Sequence, residues 1–207
     1  MKTFSTLILL IMLGTGSFAQ SGLSSSAKAK AVKKAAAEAK MYNSKGFKAY
    51  KSKQSIENML KDYYEQSYRE TSPGERVYIS SQGMAKTASA ATAFQKATAQ
   101  ANRRIPGLLQ MYFNSWISAD KRTTEKQKAA LISAVNKSGK TLEQMVAKQT
   151  PDKIYRLLKE KSGKYQAVVR LLYNQQKLRN LARNEIIKTA KEQTNLAESN
   201  IRKYLHF

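Results

Sequence analysis

The chain has 207 residues, with 37 Lys and Arg against 14 Asp and Glu, one His and no Cys, for a formal net charge of +23. Lack of Cys excludes disulfides and a lipidated N-terminal Cys, and His206 as the only imidazole excludes a His/Cys metal cluster or a nucleophile–imidazole pair set within a core. A field of this sign attracts polyanions: nucleic acid, lipopolysaccharide phosphates, anionic lipid head groups and acidic glycans.

Lys2 is followed by the apolar run Leu7–Leu13 and then by Ser17-Phe18-Ala19, with small residues at −3 and −1 before Gln20. This is the pattern of a secretory signal, and the run is too short to span a membrane. The expectation is a signal peptide over 1–19 and a mature chain that starts at Gln20, is exported to the periplasm or beyond, and keeps +22 once Lys2 is lost.

Ser21 to Ser26 is Gly/Ser-rich and reads as a leader. Ala27 to Met41 is almost entirely Ala and Lys with the single acid Glu38, and its largest apolar residues are Val32 and Met41. Such a helix rests on propensity more than on packing. It is expected to project from the body, or lie loosely on it, within a basic arm over 20–53. Lys28, Lys30, Lys33, Lys34, Lys45, Lys48, Lys51 and Lys53 of this arm are the candidate polyanion-binding residues.

Gly46 breaks the pattern, and Ser55 then caps a helix whose apolar face is Ile56, Met59, Leu60, Tyr63 and Tyr64, continuing to Tyr68. Thr71-Ser72-Pro73-Gly74 reads as a turn. Arg76 to Gln82 reads as the first strand. An Ala-rich helix begins near Thr87, and Pro106 is expected to kink or end it near Arg104-Ile105. Leu108 to Ile117 continues as a strongly apolar helix, which reads as core, with a homo-oligomer seam or a membrane contact as the other options. Asp120 to Thr124 breaks the chain before a helix to about Asn136. Thr141 to Lys148 fits a helical face or the entry to a strand. Ile154–Glu160 and Lys164–Tyr173 flank a Gly-containing hairpin turn. A final helix spans about Gln175 to Tyr204, with an apolar stripe that thins past Lys191.

Catalytic constellations are hard to assemble. Glu57, Asp62 and Glu65 share one helix but alternate with lysines and tyrosines, and no dense Asp/Asn loop or Gly-rich phosphate loop occurs. No catalytic, cofactor or metal residue is assigned. Tyr42, Phe47, Tyr50, Tyr63, Tyr64 and Tyr68 sit among lysines, an arrangement that can stack bases or sugars but that more simply packs the N-terminal segment onto a sheet.

The order of parts resembles the small outer-membrane lipoprotein family of gram-negative bacteria, the lipoprotein-twenty type, and the N-terminal domain of a flagellar assembly protein in the same superfamily. The residues that carry this are the strand Val77 to Gly83, the helix run Ala91 to Arg103, and the strand Gly163-Lys164-Tyr165-Gln166-Ala167-Val168-Val169-Arg170. Ala39-Lys40 and Gly46-Phe47-Lys48 are similar to an element of its secreted, non-lipidated members. The resemblance implies a small α+β envelope domain and brings no catalytic residue.

The fold class expected is therefore α+β: a small antiparallel sheet packed by a long Ala-rich helix, with an N-terminal helical arm and, within a domain over 54–207, a C-terminal helix. The function expected is a non-enzymatic envelope protein that binds or scaffolds an envelope protein or an anionic surface. The alternative is a nucleic-acid or other polyanion binder. N-terminal sequencing of the fractionated protein should return Gln20 from an extracytoplasmic fraction; an intact Met1 in the cytoplasm would refute the export reading.

Overall fold

The computed structural model describes residues 22–71, 75–194 and 196–205. The signal segment, the turn at 72–74 and His206 lie outside the described residues. Those described form an α+β fold built on a four-stranded antiparallel sheet of order β1-β3-β4-β2, from β1 (Lys48–Ala49), β2 (Tyr78–Thr87), β3 (Lys153–Lys161) and β4 (Lys164–Asn174).

The β3–β4 hairpin forms where the sequence alternates. Ser162 and Gly163, at φ 53° and 67°, supply the two left-handed central residues that such a tight turn needs. β4 is central and buried on both faces. Ala167, Val169, Leu171 and Tyr173 face one layer, and Val168 and Leu172 face the other.

The first layer is α3 (Ala90–Ala119), capped by Ser89 Oγ, which accepts the Thr92 N–H at 3.2 Å. Ala93, Ala97, Ala101, Ile105, Leu109, Phe113 and Ile117 recur every four residues, and all are buried. The small ones come first, so the start of α3 lies directly on β2. A Cβ at Gly83 would stand 1.9 Å from the Ala97 carbonyl oxygen. Ser81 Oγ donates to the Ala101 carbonyl at 2.7 Å. Around the larger residues pack α4 (Glu125–Lys137), α5 (Gly139–Ala147), α6 (Gln175–Gln193) and α7 (Glu198–Tyr204).

The second layer is α1 (Ser25–Ser44) and α2 (Ile56–Ser67). Ile56, Met59, Leu60, Tyr63 and Tyr64 of α2 are buried, as the helical spacing predicts. Here the arm reading is corrected. α1 does not project: Ala31, Ala35, Ala39 and Tyr42 are buried in one cluster with α2, Phe47 and the sheet residues Tyr155, Leu157, Val168 and Leu172. Small side chains let two helices approach closely, so little apolar volume suffices to hold α1 down.

Two further expectations change and one open choice is resolved. α3 runs without interruption through Pro106, which is itself buried. Burial of Ile105, Leu109 and Phe113 around it outweighs the roughly 3 kcal/mol that an interior proline costs. Thr141–Lys148 is helical as far as Ala147, in α5. The last helix is two: α6 stops at Gln193, and although the stripe thins past Lys191, Ile201 and Leu205 are fully buried against the first core. No described helix is long and apolar enough to cross a membrane.

The contact between Gly83 and Ala97 is the tightest test of this packing. Gly83→Ala should force helix and strand apart and cost at least about 1–3 kcal/mol. For a chain of this size that lowers the thermal midpoint by roughly 2–4 °C per kcal/mol. An unchanged melting curve would contradict the contact.

Candidate interaction surface

The anchoring of α1 begins in the middle of β4. Arg170 interrupts an apolar run and is only 4% exposed, in the layer under α1 and α2. A buried guanidinium needs a carboxylate and hydrogen-bond acceptors. Glu38, the one acid of α1, supplies the carboxylate and ion-pairs with Arg170. Tyr64 donates its hydroxyl hydrogen to Glu38 Oε1 at 2.5 Å and accepts from Arg170 Nη1 at 2.9 Å. The Arg170 guanidinium also lies 4.7 Å from the Tyr63 ring centroid. Burial and the bond to Glu38 push the Tyr64 hydroxyl well above the usual phenol range, so it stays protonated. Burial works against the charge on Arg170, but Tyr64 and Glu38 outweigh it and hold the group charged.

With the alanine face turned inward, the lysines face outward. Lys28, Lys30, Lys33, Lys34, Lys45, Lys48, Lys51 and Lys53 are all exposed. Among the described residues none of the eight is in an ion pair. They do not form one patch. At a rise of 1.5 Å per residue α1 is about 30 Å long, which separates the first four from the last four. Lys30 and Lys34 come together with Arg76: their cationic groups stand 5.6 Å from the Tyr68 ring, 4.8 Å from the Tyr64 ring and 5.3 Å from the Tyr68 ring respectively. Lys51 lies 5.6 Å from the Tyr50 ring at the far end, where Lys48 of β1 pairs with Leu158 of β3.

The interleaved aromatics are mostly committed to packing. Tyr42 meets Phe47 at 5.2 Å, and Tyr63 meets Tyr64 at 5.0 Å and Tyr155 at 5.4 Å, all edge to face and all buried. Tyr50 and Tyr68 keep partial exposure. The acids of α2 are not brought together as a catalytic pair. Asp62 accepts from Tyr155 Oη at 2.7 Å and pairs with Lys153 at 3.3 Å. Burial raises its pKa, but those two partners outweigh it and hold the carboxyl below its usual value. Among the described residues no group of three or more His, Asp or Glu could hold a metal ion.

A second buried arginine, Arg179 of α6, lies 4.0 Å from the Trp116 ring and 4.4 Å from the Tyr112 ring, and pairs with Glu75 at 2.6 Å. It borders a surface cleft of about 620 Å³. Its bonds tie α6 and α3 to the segment ahead of β2. Sequence reasoning missed Arg170, Arg179, Arg76 and the role of Glu38. The available signals were an arginine inside Val168-Val169-Arg170-Leu171-Leu172 and a lone acid in a lysine helix.

No family model, no curated protein and no solved structure matches this chain.

Glu38 can be tested against Arg170 directly. Glu38→Ala strands a buried cation and should cost about 3 kcal/mol or more, whereas Arg170→Met removes the charge and should cost less. Denaturant unfolding of the two variants gives the order; equal losses would show that the pair does not hold the layer.

Proposed function

We propose that the chain is an exported, non-enzymatic protein of the cell envelope that binds an anionic surface through the outer face of α1. The observation that carries this reading is the coupling of two facts. Eight lysines of the segment from Lys28 to Lys53 point outward without carboxylate partners among the described residues, and the helix that bears four of them is fixed to the sheet through Glu38 and Arg170. A fixed helix presents its charges without the ordering cost of a flexible tail. The resemblance to the secreted, non-lipidated members of the lipoprotein-twenty type supports the envelope address and supplies no chemistry.

Binding of this kind is electrostatic and non-directional. Each lysine close to an anionic membrane contributes on the order of 1 kcal/mol, and the sum is screened by salt. Lys33 and Lys40 lie seven residues apart on one stripe of α1, and both are exposed. The double substitution Lys33→Glu and Lys40→Glu should weaken adsorption to vesicles of mixed anionic and neutral lipid at least tenfold, and raised salt should weaken the parent in the same way. Short duplex DNA run in parallel separates the nucleic-acid alternative: a preference for DNA over vesicles at equal salt would favour it. Adsorption that ignores both salt and the α1 charges would refute the reading.

A further inference from the structure

β2 is an edge strand, and its outer side is open at Ser80 and Gln82. It pairs with β4 from Tyr78 opposite Asn174 to Thr87 opposite Tyr165. The Gln175 N–H donates to the Val77 carbonyl at 2.8 Å, so the odd-numbered residues turn their backbone groups toward β4. The even-numbered residues turn theirs outward. Met84 confirms the parity: its N–H leaves the sheet and donates to the Gln100 side-chain oxygen at 2.6 Å. Ser80 and Gln82 thus present N–H and C=O groups to the open side, where among the described residues no strand pairs with them. Natural edges are usually blunted by proline, a bulge or a covering element. Tyr78–Thr87 is ten residues long and contains no proline.

A cleft lies on either side of this edge, and both include Ser80 and Gln82. The one toward α3 has a volume of about 680 Å³ and is walled by Leu108, Met111, Arg103 and Arg104. Met111 is 68% exposed, the most exposed large apolar side chain described. The one toward α1 and α2 has a volume of about 470 Å³ and is walled by Tyr68, Lys34 and Arg76, with Arg170 behind them. Its one carboxylate, Glu38, is already spent on Arg170. Arg76 and Arg103 pair with Glu70 at 3.4 Å and Glu143 at 3.7 Å, through side chains that stay largely exposed. Among the described residues the cleft toward α3 has no acid in its wall.

We infer that the β2 edge captures an extended acidic segment of a partner protein as a fifth strand. Alternate side chains of an added strand point to opposite faces of the sheet. One set enters the cleft of Leu108 and Met111 and is apolar. The other enters the cleft of Lys34 and Arg76 and carries carboxylates. The main chain bonds to Ser80 and Gln82, as in other cases of strand addition. A second copy of this chain is disfavoured as the occupant because its own charge of more than +20 would meet the same basic walls. This site shares Lys34 with the lysines of α1 and otherwise uses β2 and α3, away from Lys33 and Lys40.

The probe is a capped heptapeptide alternating Val and Glu, titrated into the ¹⁵N-labelled full chain. The expected result is saturable shifts of the Ser80, Gln82 and Met84 amides. A peptide with Lys in place of Glu, and one N-methylated at the amides that would face β2, should each bind at least tenfold more weakly; neither control depends on a variant that must fold. Gln82→Pro removes one outward N–H and leaves the β4 ladder intact, and Met111→Glu alters an exposed side chain; each should weaken binding about tenfold. The Lys33→Glu, Lys40→Glu protein should bind the peptide as the parent does, which separates this site from the α1 face. Shifts confined to α1, equal binding of the methylated peptide, or a β2-mediated dimer in sedimentation would each overturn the proposal.

Discussion

A guanidinium under two helices sets the terms for this fold. Arg170 stands on the central strand, on the face that α1 and α2 cover. The layer can close over it only if a carboxylate arrives from above, and α1 has one to offer. That requirement fixes both the rotation and the axial position of α1. Rotation places Ala31, Ala35 and Ala39 against α2 and sends the lysines outward. Tyr64 completes the arrangement from α2, bonding to both charged partners. A buried ion pair adds little net stability against an apolar replacement. Its value here is in selecting one seating of a helix whose alanine face alone would tolerate several.

The opposite face of the sheet is held by a different constraint. There α3 approaches until Gly83 and Ala97 leave no room for a Cβ. Four residues further along, Ala101 takes a hydrogen bond from Ser81 on the same strand. β2 is therefore gripped from below by α3, while above it α2 reaches only its beginning. The unequal cover leaves Ser80 and Gln82 between two clefts instead of under a helix.

Much of the architecture was legible because it rests on periodicity. The face of α2, the hairpin at Ser162-Gly163 and the alternation of β4 all follow from spacing, and the buried residues match it. What escaped rests on tertiary compensation. Pro106 looked like a helix end, yet burial around it carries the helix on. Val32 and Met41 drew attention as the bulky residues of α1, and both are exposed; the anchor is an alanine series spaced by four. Composition hides such a stripe, since alanine is equally the residue of a solvated helix. The candidate polyanion-binding lysines are exposed, but their division into two ends of a 20-residue helix and its sequel needed the fold.

The placement of charge separates what salt can reach from what it cannot. The α1 lysines are exposed, so a Debye length of about 8 Å at physiological ionic strength screens them from anything not in close contact. In the Arg170–Glu38 pair the guanidinium is buried and the carboxylate is only partly exposed, so salt screens it less than the outer lysines. Raising salt therefore weakens the outer face first and leaves the seating of α1 in place. On the proposed reading, a helix with its acid turned inward and its bases turned outward would release a polyanion without loosening from its own sheet. Had the acid stood at the exposed position of Ala37 instead, it would have left Arg170 uncompensated and neutralised part of the outer face in the same step.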